Sequence, residues 1–293
     1  MTGVPRKYGV KCITPSGFHR MAYVEWGDPA NPRVLVCVHG MSRSGRDFDV
    51  LAQALSQHYR VVCPDVPGRG ESEWLRNPME YVVPTYVADM VTLIARLGVE
   101  EVHWVGTSLG GLIGMMLASL PGSPVTRLVL NDVGPVITAA SLARIGSYLG
   151  KAPLFADFNA AEQYVRFVSA PFGPHTDAQW RKLTENVVRR QPDGQYRMHY
   201  DPAIAKPFED AAKAGGGKDM ALWMYYDAIR CPTLLVRGAD SDLLTHDTAT
   251  AMAQRGPKAK LVEFAGVGHA PMFMQEDQVA SVKAFLLDHI QAV

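Results

Sequence analysis

Hydrophobic residues along this chain change period at regular intervals. Residues 33–38 end in a continuous apolar run, Val-Leu-Val-Cys-Val, and short strand-like segments recur at 59–63, 101–105, 125–130, 232–236 and 260–264. Unbroken apolar runs of this length are what a strand covered on both faces shows. Between them the period lengthens. In 84–97, Tyr86, Val87, Met90, Leu93, Ile94 and Leu97 recur at helical spacing and Gly98 closes the segment. Residues 47–56, 109–120, 245–255 and 275–290 read as helices in the same way. Ahead of this alternation, 8–13 and 18–26 flank a Thr14-Pro15-Ser16-Gly17 turn and predict an antiparallel hairpin. Strands alternating with helices predict an α/β fold built on an open, mostly parallel sheet.

The pattern breaks once. Between 135 and 228 the strand signal fades, and helix-like stretches at 139–149, 160–169 and 177–190 are mixed with aromatics, methionines and turn residues. This predicts a helical cap at 135–228 inserted into a core domain made of 1–134 and 229–293. The glycine-rich piece at 213–218 lacks full phosphate-loop spacing and reads as a loop.

Composition narrows the classes of partner. The 293 residues suit one large domain with an insertion, and a 47% hydrophobic content supplies its core. Lys plus Arg equals Asp plus Glu at 29 each, so nothing in the balance points to nucleic acid or an anionic surface. No apolar stretch is long enough for a bilayer span, and the first residues lack a signal-peptide pattern. Cys12, Cys37, Cys63 and Cys231 stand singly without metal-ligand spacing and read as reduced thiols. The expectation is a cytoplasmic protein, monomer or homodimer, with no cofactor, no metal, no membrane and no nucleic-acid partner.

The chemistry gathers at loops that follow strands. Gly106-Thr107-Ser108-Leu109-Gly110 lies between a predicted strand and a predicted helix. There a tight turn lifts a serine hydroxyl clear of the sheet, and the glycines make room for the turn. A serine hydroxyl needs a base to take its proton, and the base needs a carboxylate to fix its tautomer. The chain supplies Ser108, Asp242 and His269 in that order, the last two in loops after strands. Asp240 and Asp132 are alternative acids. His39 reads as a residue that holds a loop rather than one that does chemistry. Trp223, near the end of the cap, is a candidate for the pocket wall or for the core between cap and sheet.

His39-Gly40, Asp65-x-Pro67-Gly68-x-Gly70-x-Ser72, the Ser108 turn, Gly238-x-x-Ser241-Asp242 and Gly268-His269-Ala270-Pro271 together make the chain resemble the α/β-hydrolase family over nearly its whole length. The resemblance implies an eight-stranded, mostly parallel sheet with helices on both faces and a cap after the sixth strand. It also favours Asp242 as the acid, because Leu243-Leu244 resembles the apolar pair that follows the family's acid, and implies an oxyanion hole from the backbone N–H groups of Met41 and Leu109. The implied activity is a serine hydrolase that cleaves a small or medium carboxylic ester. Lactone, thioester or C–C bond hydrolysis, and a non-catalytic binding role, are the alternatives.

Overall fold

In the computed structural model, residues 4–214 and 218–288 are described. The first three residues, the Gly215–Gly217 centre of the glycine-rich loop and the end of the helix predicted to reach 290 lie outside them. Strands β1 (Arg6–Thr14) and β2 (Gly17–Trp26) form the expected hairpin, turning at Pro15-Ser16. Then β3 (Val34–Val38), β4 (Arg60–Pro64), β5 (Val102–Thr107) and β6 (Val125–Asn131) follow in sequence, with α1 (Asp49–Leu55), α2 (Val83–Leu97) and α3 (Leu109–Ser119) between them.

After β6 the chain leaves the sheet. The excursion contains β7 (Val136–Ile137), α4 (Ala139–Tyr148), β8 (Leu154–Phe155), α5 (Phe158–Val168), α6 (Asp177–Glu185), β9 (Val188–Arg190), β10 (Tyr196–Met198), α7 (Ala205–Ala214), β11 (Met220–Ala221) and α8 (Trp223–Ala228). The chain then returns through β12 (Thr233–Gly238), α9 (His246–Gln254), β13 (Lys260–Phe264) and α10 (Glu276–Leu287).

The main sheet has eight strands in the order β1-β2-β4-β3-β5-β6-β12-β13. β2 runs antiparallel to β1 and β4, and every other neighbouring pair is parallel. Each buried strand divides its side chains between two cores. Val34, Val36 and Val38 pack with α2, α3 and α9, while Leu35 and Cys37 pack with α1 and α10. The period of two sends alternate residues to opposite faces, which is why these strands are apolar throughout.

The inserted segment departs from an all-helical reading. β8, β10 and β9 form a three-stranded sheet, and β7 pairs with β11. The helix expected over 177–190 stops at Glu185, and Val188–Arg190 pairs with Tyr196–Met198 instead. The Gln191-Pro192-Asp193-Gly194 turn folds the chain back there, and Gly194 takes the positive φ (89°) such a turn needs. Among the described residues, no helix is long and apolar enough to cross a membrane.

Candidate active site

Ser108 is the single residue between β5 and α3. Its φ of 52° and ψ of −114° lie where few residues with a Cβ settle, at a cost of order 1–3 kcal/mol. The surroundings hold it there. The Ser108 N–H donates to the Asn131 carbonyl (3.0 Å), and its own carbonyl accepts from the N–H groups of Gly111 and Leu112. Two glycines are sterically required. A Cβ on Gly106 would stand 2.2 Å from the Gly110 oxygen, and one on Gly110 would stand 2.0 Å from the Val38 oxygen. The turn therefore presses directly on β3, and the hydroxyl projects above the sheet at the start of a helix.

His269 comes to Ser108 from the loop after β13. Its Nε2 accepts from the Ser108 hydroxyl at 3.0 Å, and its Nδ1–H donates to a carboxylate at 2.7 Å. That carboxylate belongs to Asp132, not to Asp242. Asp132 directly follows β6, is fully buried, and takes a φ of 53°. Its Oδ1 accepts from the Gly238 N–H (2.9 Å), and its Oδ2 accepts from the Ser241 hydroxyl (2.5 Å) as well as from His269. Asp242 is displaced by the loop's own alternation. Ser241 points inward and caps the N–H groups of Leu243 and Leu244, so Asp240 and Asp242 both point to solvent. Asp242 pairs there with Arg144 of α4.

On the other side of Ser108 lies the loop after β3. Gly40 is close enough that an added Cβ would touch the Ser108 Cβ at 3.6 Å, and Met41 lines the same cavity. His39 is fully buried: Nδ1–H donates to the Gly40 carbonyl (2.7 Å) and Nε2 accepts from the Val66 N–H (2.9 Å). Burial pushes its pKa down to about 3, so it is neutral and clamps this loop to the one following β4. The latter loop is knotted by Asp65, whose carboxylate accepts from the N–H groups of Gly45 and Glu71.

Two further residues support the site and carried no separate weight in the sequence reading. The buried Arg69 donates from Nε to the Met41 carbonyl (2.7 Å) and from Nη1 to the Tyr86 hydroxyl (3.0 Å). Asn131 donates to the Thr107 hydroxyl (2.9 Å) and the Pro271 carbonyl (2.8 Å), tying the serine strand to the histidine loop. The sequence signal for Arg69 was a cation between two glycines of a motif; Asn131 offered only its place at a strand end.

The cavity above Ser108 measures about 1000 Å³ with its open mouth included. The inserted segment contributes Tyr148, Tyr164, Val165, Phe172 and Tyr200 to its wall. Trp223 does not reach it, which removes the pocket-wall alternative and leaves the core one. α8 lies against α3, where Trp223 packs edge-on to the buried Tyr226 and under the Arg255 guanidinium. Elsewhere, Cys12, His19 and Asp89 bring three potential ligand atoms within 4.8 Å of one another between the hairpin and α2. His19 already bonds Asp89 (3.0 Å), and burial together with the Asp89 charge pushes the Cys12 thiol up to about 12. The trio therefore packs as a neutral-thiol contact at neutral pH.

A family model described as the alpha/beta hydrolase fold matches residues 33–274. The 3-hydroxybutyrate-oligomer hydrolase of Cupriavidus necator is 53% identical over 289 residues, covering 97% of this chain and 99% of that protein. A solved alpha/beta hydrolase from Novosphingobium aromaticivorans superposes with a TM-score of 0.85 at 34% identity, over 97% of this chain and 99% of that one. E-2-(acetamidomethylene)succinate hydrolase shares the fold alone, with a TM-score of 0.81 at 21% identity over 96% of this chain and 99% of that one.

Proposed function

Since this chain belongs to the α/β-hydrolase fold family, we propose that it hydrolyses carboxylic esters through an acyl-enzyme on Ser108, and that its substrates are short oligomers of 3-hydroxybutyrate. The observation that carries the reading is the hydrogen-bonded chain Ser108–His269–Asp132 at the floor of a cavity. The substrate class follows the 53% identical relative, which aligns from end to end.

Each group has a role in the proposed cycle. As Ser108 Oγ bonds to the ester carbonyl carbon, its proton passes to His269 Nε2. Asp132 holds Nδ1–H toward itself, leaving Nε2 free to accept, and stabilises the imidazolium that forms. The negative charge on the carbonyl oxygen is met by the N–H groups of Leu109, at the start of α3, and of Met41. When the C–O bond breaks, His269 returns the proton to the departing alkoxide. Water then gives a proton to His269 as its oxygen bonds to the acyl carbon. Collapse of that adduct releases the carboxylic acid and restores the serine hydroxyl. No cofactor enters this cycle. The free thiols suit a reducing compartment, consistent with a cytoplasmic enzyme.

The test is hydrolysis of the 3-hydroxybutyrate dimer and trimer, beside p-nitrophenyl esters from acetate to dodecanoate, with Ser108→Ala as control. Serine-dependent release of 3-hydroxybutyrate supports the proposal. Turnover of p-nitrophenyl esters without turnover of the oligomers keeps the ester chemistry and removes the substrate. Failure on every ester, in a folded protein, sends the search to lactones, thioesters or a binding role.

A further inference from the structure

Two guanidinium groups line the cavity that holds Ser108, and they are held very differently. Arg43 is fixed. Its Nε and Nη2 each donate to the Asp47 carboxylate at 2.7 Å, both side chains are largely buried, and the guanidinium lies over the Phe172 ring. Arg144, on α4 of the inserted segment, also makes a two-point contact with a carboxylate. Nη2 donates to Asp242 Oδ1 (3.0 Å), while Nε is buried and stands 2.5 Å from Oδ2 without the geometry of a hydrogen bond. That partner is 52% exposed and sits on the loop after β12, so water competes for its carboxylate. An ion pair this open contributes little to stability, and one carboxylate can exchange for another. Beside Arg144, on the next turn of the same helix, the Tyr148 hydroxyl interacts with the guanidinium and lines the same cavity.

A planar cationic fork at the wall of a serine-centred cavity, with one edge hydrogen-bonded to an exposed carboxylate and its Nε buried without a hydrogen-bond partner, is a recognition element for a carboxylate ligand. We propose that Arg144 is a specificity residue: it binds the free carboxylate of the ester substrate in place of Asp242, so that acid-terminated esters are preferred over neutral ones. This rests on the ester-hydrolase reading and extends it. In an oligomer of a hydroxy acid the terminal carboxylate is separated from the nearest ester by a short carbon segment, so both ends can occupy one cavity. Asp242 acts as the stand-in that keeps Arg144 oriented when the cavity is empty. Arg43 cannot take this part, because removing Asp47 from it would strand a buried carboxylate.

The experiment compares kcat/KM for the 3-hydroxybutyrate dimer with that for its terminal carboxamide, which is isosteric, uncharged and carries the same ester. The wild-type ratio of acid to amide is expected to exceed roughly tenfold, and Arg144→Gln is expected to bring it near unity, chiefly through KM for the acid. Arg144→Lys should restore part of the preference, since it keeps the charge without the fork. Asp242→Asn should lower KM for the acid by removing the competing carboxylate. A wild-type ratio near one, or an Arg144→Gln variant that loses equally on both substrates, overturns the proposal and leaves Arg144 as a strut between cap and core. Turnover of p-nitrophenyl butyrate is measured in parallel. Absence of turnover on the dimer, its carboxamide and p-nitrophenyl butyrate alike would sink the ester reading itself, whereas turnover with no acid preference sinks only the role of Arg144.

Discussion

The most local question concerns which carboxylate serves His269. Asp132 has no freedom to leave. It is buried, and it accepts from a backbone N–H, a hydroxyl and the imidazole. Asp132→Asn would keep the shape but favour the wrong imidazole tautomer, and kcat on p-nitrophenyl butyrate should fall by roughly 10⁴-fold. Asp242→Asn should lose less than about tenfold in the same assay, because its carboxylate meets Arg144 and not the imidazole. Ser108→Ala and His269→Ala should each abolish turnover while leaving the far-ultraviolet circular dichroism and the melting temperature nearly unchanged. If Asp242→Asn proved the more damaging of the two aspartate changes, the assignment of the acid would be reversed.

At the scale of elements, the site depends on how closely α3 is pressed to the sheet. Trp104 of β5 donates its indole N–H to the Gly110 carbonyl (3.0 Å), and a Cβ on Gly114 would strike that indole at 2.3 Å. The glycines of α3 are therefore packing residues, although they weaken an isolated helix. Gly110→Ala would force a methyl group against the backbone of β3. It should cost on the order of 3 kcal/mol or more, read as a large drop in melting temperature or as insoluble protein. A soluble variant with an unchanged melting temperature would show that α3 can shift away. The loops after β3 and β4 form a second such unit. His39, Asp65 and Arg69 lock them together so that Met41 is presented beside Ser108.

For the whole molecule, those buried groups make stability depend on pH. His39 is held at about 3 by burial, whereas an unfolded chain takes up the proton near the ordinary 6.5. Its contribution is therefore complete above about pH 6.5 and is lost progressively as pH falls toward 3. His199, also pushed down by burial to about 4, acts in the same direction. Asp65 acts the opposite way. Burial lifts its carboxyl to about 6, so between that pH and the ordinary carboxylate range the native state binds a proton that the unfolded chain does not, and stability is gained on acidification. The displacement at His39 is the larger, so the balance is acid destabilisation. Melting temperature should fall between about pH 7 and pH 5. His39→Gln should flatten that profile, and Asp65→Asn should steepen it. A profile that rises on acidification in the wild-type protein would contradict this account.

The sequence by itself determined the strand–helix alternation, the opening hairpin, the mostly parallel sheet, the serine turn and the histidine loop. Each of these is written in local terms. Period, glycine and proline placement, and the residues that can occupy a strained turn are properties of short stretches, and strongly apolar strands have few places to go except the middle of a sheet. Which carboxylate meets His269 was decided by tertiary structure. Asp132, Asp240 and Asp242 all lie in loops at the carboxyl ends of strands, and what separates them is the direction each side chain takes once β6 and β12 pair. Ser241, turned inward, excludes its two aspartate neighbours and donates to Asp132 instead. The same holds for Trp223, whose aromatic character suited a pocket wall or a core equally, until the packing of α8 on α3 placed it away from the cavity. Long-range direction, unlike period, depends on which distant segments share a surface, and no window of the chain contains that information.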